Sequence, residues 1–279
     1  MTNPSQNIQI AKDTLALFPK MQAGLMPSQS TLINKVLDSS QPIREFTTRI
    51  SVENESTIAR LIKLNQSKTV HDKIGLMNFA SATDPGGGFL YGANAQEEAL
   101  CRASFLYFEL NTFTDTFYKT NRKNPNGALF TNQSIYSRNV TFIKDDTGKR
   151  LPEPIYTDVI SVAAPNSTAL KSRSISNGFL MDNANSNQNQ HVSDQQIKDA
   201  LQIRILNTLR AFKKNRVDLL ILGAFGCGAF GNDPKLIARI FKDNLEKPDL
   251  KRAFKEIYFS VYDRPNGPNY SIFKQTFAE

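Results

Sequence analysis

The sequence predicts a three-layer α/β domain built on a mixed or mostly parallel sheet. Three observations predict it. Short apolar runs alternate with segments of helical periodicity along most of the chain. Two glycine-rich stretches, 86–88 and 226–231, each follow an apolar run and precede a helical one, where open α/β sheets bind ligands. A length of 279 residues with 40% hydrophobic residues supports one large domain or two small ones.

The elements follow in order. IQIAKDTLALF (8–18) carries apolar residues at helical spacing, and Pro19 directly after it is a natural stop. Residues 19–43 hold Gly24, Pro27 and Pro42 among polar residues and read mostly as loop, with room for a short helix around Thr31–Leu37. TTRISVEN reads as the first strand. STIARLIKLN is helical, with Ser56 as its N-cap. KIGLMNFA (73–80) is a buried strand.

AQEEALCRASFLYFEL then reads as one helix, with Ala99, Leu100, Ala103, Leu106 and Leu110 on a broad face and Asn94 as N-cap. NRKNPNG and KDDTGKR are turn signals around a strand in SIYSRNVTFI. TDVISVAAPN is a second buried strand. NANSNQNQ, within 171–195, is a polar low-complexity surface loop. DQQIKDALQIRILNTLRAFKKN is a long amphipathic helix. VDLLILGAFGCGAFGND is a strand running into the second glycine loop. PKLIARIFKDNLE is a helix with Pro234 in its first turn, and EIYFSVYD is the last strand.

Consecutive backbone N–H groups just before a helix make a site for anionic oxygens, and glycine lets them approach a ligand closely. Gly86, Gly87 and Gly88 precede one helix, and Gly226, Gly228 and Gly231 precede another. Two such loops beside one sheet can clamp a diphosphate. Each alone is equally a tight turn. GCGAFG matches a dinucleotide fingerprint only loosely, and no GK[ST] follows either loop, so no P-loop is present.

Glu97 and Glu98 also carry two readings. Acids in a helix's first turn complement the macrodipole. Alternatively, one serves as acid or base and the other holds a ribose hydroxyl. Neighbours on a helix point about 100° apart, so they are not expected to flank one bond as paired glycosidase carboxylates do. A bound diphosphate would help keep a glutamate protonated enough to act as general acid.

Other chemistry is poorly supported. No Ser-His-Asp or Cys-His arrangement emerges, and Cys227 in its glycine loop reads as a packing thiol. Cys101, Cys227, His71 and His191 show no metal-ligand spacing, so no metal or other cofactor is expected. Two distant cysteines fit a reducing compartment. No signal peptide is apparent, and no apolar run reaches the roughly 18 residues that span a bilayer, so a soluble cytoplasmic protein without membrane partners is expected. The net charge of +8 favours anionic partners, but its scatter fits a solvated surface.

NFASATDPGGGFLYGANAQEEALCRASFLY resembles the signature of bacterial-type poly(ADP-ribose) glycohydrolases of the macro domain superfamily: a GGG loop, seven residues, then Gln96-Glu97-Glu98. IAKDTLALF, VISVAAPN, LILGAFGCGAFGNDP and FSVYDRPNGPNYSIFKQTF resemble further family segments in the right order. The resemblance implies a three-layer α/β/α macro domain with a mixed sheet over 46–279, preceded by a helical extension over 1–45. It implies ADP-ribosylated proteins or poly(ADP-ribose) as partners, ADP-ribose as product, no cofactor, and a monomer. Glu98 is then the catalytic acid and Glu97 holds ribose hydroxyls. Gly86, Gly87 and Gly88, with Asp84 and Gln96 beside them, cover the diphosphate and proximal ribose. Gly226, Cys227, Gly228, Ala229 and Phe230 form the second phosphate loop, Asn78 orients the distal ribose, and Tyr262 or Asn269 packs beside adenine. Asp84 and Phe225 stand where the family often has asparagine and tryptophan; neither removes a catalytic group, but the negative charge of Asp84 leaves linkage preference open. The alternatives are a reader that binds ADP-ribose without cleaving it, and a nucleic-acid-binding protein.

Overall fold

The computed structural model describes residues 3–39, 45–172, 192–265 and 267–278. The NANSNQNQ segment and His191 lie outside them. The first helix, α1 (Pro4–Met21), starts from Asn3, whose side chain accepts from the Gln6 N–H. It runs past Pro19, expected to stop it, and ends within one turn of that proline, at Met21. Proline removes one helical hydrogen bond, and so close to the C-terminus little helix remains to be broken. The residues that left room for a helix near Thr31 instead form strand β1 (Gln29–Ile33). An edge strand draws its hydrogen bonds from a neighbour, here β4 (Ser134–Lys144), which local periodicity cannot reveal.

Strand β2 (Arg49–Glu53) is followed by helix α2 (Thr57–Ser67), and Ser56 caps α2 by accepting from the Ala59 N–H at 2.9 Å, as the sequence indicates. Strand β3 (Ile74–Phe79) leads to the first glycine loop. The expected single helix beyond it is two: α3 (Gln96–Ala103) and α4 (Leu106–Asn111). The break lies at Ser104, whose backbone is extended and bridges to Phe142 of β4, while the Phe105 N–H donates to Thr141 O. Here pairing to the sheet wins over helical periodicity. A π-helical turn (Thr114–Tyr118) and short helix α5 (Lys119–Arg122) follow.

Strand β5 (Arg150–Val162) forms a long hairpin with β4. Helix α6 (Asp194–Lys214), strand β6 (Leu219–Leu222), helix α7 (Pro234–Leu245), strand β7 (Glu256–Ser260) and helix α8 (Pro268–Ala278) complete the described chain. The seven strands lie in the order β1-β4-β5-β3-β6-β7-β2. Pairs β1/β4 and β4/β5 are antiparallel, and every other pair is parallel.

The sheet is covered on both faces, giving the three layers expected. One core joins Ile205 and Phe212 of α6 with Phe241 of α7 and Phe273 of α8. The other joins Ala11 of α1, Leu61 of α2, Leu100 of α3 and Leu106 of α4. Central β3 is buried along almost its whole length, as a parallel strand covered on both faces must be. Its C-terminal end lies between those of parallel β5 and β6, so the loops that follow all three strands emerge side by side.

Candidate active site

The first glycine loop rises from β3 and returns into α3. Gly86 and Gly87 have φ of 70° and 56°, the left-handed region that favours glycine. At Gly87 there is a second constraint: a Cβ would strike Glu98 Oε1 and stand 3.2 Å from Glu97 Oε2. The two carboxyl groups therefore converge on one backbone position, despite the angle between neighbouring helical residues. They approach it from the same side.

Glu98 is 8% exposed. Its Oε1 accepts from the Gly88 N–H at 2.9 Å and its Oε2 from the Ala95 N–H at 3.2 Å. It thereby caps α3 and holds the glycine loop, so the capping role read from the sequence is real for this residue. Asn94, expected as the N-cap, does something else. Ala95 occupies the cap, and the Asn94 side chain accepts from Arg102 at 2.6 Å. Arg102, buried one turn on, also donates to Ala93 O and so fixes the link between loop and helix.

Glu97 is more deeply buried, at 3% exposure. Asn78 donates to its Oε1 at 3.1 Å and the Ser81 N–H to its Oε2 at 2.7 Å. Burial pushes the Glu97 carboxyl up to about 8; the two hydrogen bonds pull the other way, and the nearby Glu98 and Asp84 charges add to the rise. Asn78 also donates to Ser161 of β5, tying two strand ends together. Gln96 accepts from the Phe79 N–H and donates to Met77 O and Thr57, so its amide ties α3 to β3 and α2. Asp84 is exposed; Thr83 donates to its carboxylate, and Arg122 stands 3.9 Å away.

The second loop follows β6 and is fastened by one residue that sequence reasoning passed over. Buried Asn232 donates to Pro165 O at 2.9 Å and Gly226 O at 3.0 Å, and accepts from Ser167 at 2.8 Å. It joins the loops after β5 and β6. Gly226 (φ 73°) leaves no space for a side chain, since a Cβ would stand 2.5 Å from that of Ala164. At Gly228 the space is open. Gly228 and Ala229 are exposed, and Phe230 is half-buried. Asp233 caps α7 through the Lys235 N–H.

Phe225 is buried against Phe79, 6.0 Å between ring centroids, joining the roots of the two loops. The Cys227 thiol donates to Phe225 O and is pushed up to about 12 by burial, which suits a packing thiol and not a nucleophile. Tyr262 stands exposed just beyond β7, the strand next to β6, and Asn269 lies in the first turn of α8.

Behind the site, α1 supports the first loop. Asn7 donates to Gly92 O, and Thr14 donates to Arg102 O at 2.6 Å. Buried Lys144 donates to Thr14 and pairs with Asp13. These contacts, with Ser81, Arg102 and Asn232, had no signal in the sequence beyond their being polar. Among the described residues, no group of three His, Cys, Asp or Glu is placed to hold a metal ion, and no helix is long and apolar enough to cross a membrane.

The arrangement sets two glycine loops at neighbouring strand ends, with a pair of carboxyl groups beside one of them. Known proteins resemble the chain over most of its length. The family model for the catalytic domain of microbial-type PARG matches residues 8–145. The poly(ADP-ribose) glycohydrolase of Deinococcus radiodurans, solved with ADP-ribose, is 31% identical over 99% of this chain and 92% of its own, with a TM-score of 0.71. That of Thermomonospora curvata is 27% identical over 97% and 99%, with a TM-score of 0.79. Its complex with the inhibitor ADP-HPD is 27% identical over 96% and 98%, with a TM-score of 0.76. No curated protein matches the chain.

Proposed function

The chain belongs to the microbial-type poly(ADP-ribose) glycohydrolase family, and we propose that it binds ADP-ribosyl groups and hydrolyses their ribose glycosidic bond. The observation that carries this is the convergence of Glu97 and Glu98 on Gly87, in a loop at the end of β3 beside the loop of adjacent β6. The loop N–H groups would receive the diphosphate. The ribose beyond it would then lie against α3.

Glu98 would protonate the leaving oxygen and then activate water, while positive charge develops on the ribose. Both carboxyl groups approach from one side, which supports a single acid/base group and not a flanking pair. Glu97, which burial keeps protonated at neutral pH, would hold a ribose hydroxyl without adding a charge next to Glu98. The ligand's own phosphates would stabilise the developing positive charge. The products are ADP-ribose and a shortened polymer or freed side chain.

Release of ADP-ribose from poly(ADP-ribose), and from single groups on arginine, serine and glutamate, tests this reading. Glu98→Gln should lower kcat by about 10² to 10⁴, the usual worth of general acid–base catalysis. A wild type that binds ADP-ribose tightly yet leaves every substrate intact would be a reader and would sink the enzyme reading.

A further inference from the structure

Beneath the first loop, one buried polar group has no part in this account. Tyr118 ends the π-helical turn; it is fully buried, and its hydroxyl has no hydrogen-bond partner among the described residues. Its ring meets Phe117 edge-on at 4.9 Å and shares a core with Phe89, Leu100 and Cys101. Burial first, then nearby Glu97, Cys101 and Asp84, push the phenol well up, so it stays a neutral donor. One turn later, Arg122 donates to Thr83 O and faces Asp84, which ties this turn to the loop that passes over Glu97.

A phenylalanine would fill this core without stranding a hydroxyl, so the oxygen asks for a function. π-helical turns are frequent at functional sites. Glu97 has capacity to spare: each of its oxygens accepts one protein hydrogen bond, and the carbonyl oxygen of the protonated group can accept another. Hydrogen bonds of active sites are often long in the free enzyme and tighten in the complex.

We propose that Tyr118 is a positioning residue of this site: its hydroxyl donates to the Glu97 carboxyl when ADP-ribose is bound, fixing the group that holds the ribose. The inference rests on the glycohydrolase reading and has a separate test. ADP-ribose affinity is measured by calorimetry for wild type, Tyr118→Phe, Glu97→Ala and the double variant, with melting temperatures alongside. Tyr118→Phe should weaken ADP-ribose binding about fivefold, the worth of one hydrogen bond between neutral groups, with an equal or higher melting temperature. The same change in the Glu97→Ala background, which lacks the acceptor, should leave affinity unaltered. Unchanged affinity in Tyr118→Phe, or an equal loss in both backgrounds, overturns the proposal. An inactive wild type would sink the glycohydrolase reading, while the binding cycle still decides the role of Tyr118.

Discussion

Glu97 and Glu98 are neighbours in sequence with different surroundings. Glu98 is held by two backbone N–H groups. Glu97 is buried deeply enough to raise its carboxyl to about 8. When folded, Glu97 keeps its proton up to about pH 8; when unfolded, it releases it near the ordinary value of 4.5. Between these the folded chain binds more protons, so the contribution of Glu97 to stability is greatest at low pH and declines as pH rises through the folded value. The melting temperature of wild type should therefore fall relative to Glu97→Gln between about pH 5 and 8, and run parallel to it above. Parallel curves throughout would show that Glu97 is an ordinary carboxylate. Gly87 gives a second residue-scale prediction. Alanine there meets a left-handed backbone and the Glu98 carboxyl, so Gly87→Ala should displace Glu98 and lower kcat about 100-fold in a polymer assay.

At the scale of elements, the site is held by connections between strand ends and by α1. Asn232 fastens the loops after β5 and β6 with three side-chain hydrogen bonds. Asn232→Ala should cost about 2 kcal/mol in denaturant unfolding, since buried partners lose their bonds, and should weaken ADP-ribose binding. A variant with wild-type stability and affinity would show that this buckle is dispensable. Most elements were legible because their signal is local: Ser56 before α2, Pro234 opening α7, the apolar run of β3. Two of the failures share one cause. Strand β1 and the break at Ser104 exist because β4 offers hydrogen bonds to segments distant from it in sequence. Asn94 was passed over as a cap because Glu98 and Arg102 supply the bonds there.

For the whole molecule, the charge of +8 bears on the encounter with a polyanion and not on the fold. If the substrate is poly(ADP-ribose), KM for the polymer should rise with salt more steeply than KM for a single ADP-ribosyl group, because more phosphates meet the positive field. Equal salt dependence would mean that only the two loops sense charge.

The sequence by itself determined the alternation of elements, both glycine loops and the Gln96-Glu97-Glu98 run, because periodicity, glycine and capping chemistry are written within a few residues. It also carried the family resemblance, which needs only order and spacing. The tertiary structure alone decided how these parts are used. It placed β3 beside β6, turned two divergent glutamates toward Gly87, and buried one of them deeply enough to hold a proton. It also brought Tyr118, Arg122 and Asn232 to loops far from them in the chain. Burial and hydrogen-bond partners belong to the packed chain, so the electrostatics of this site arise only once the sheet has closed around β3.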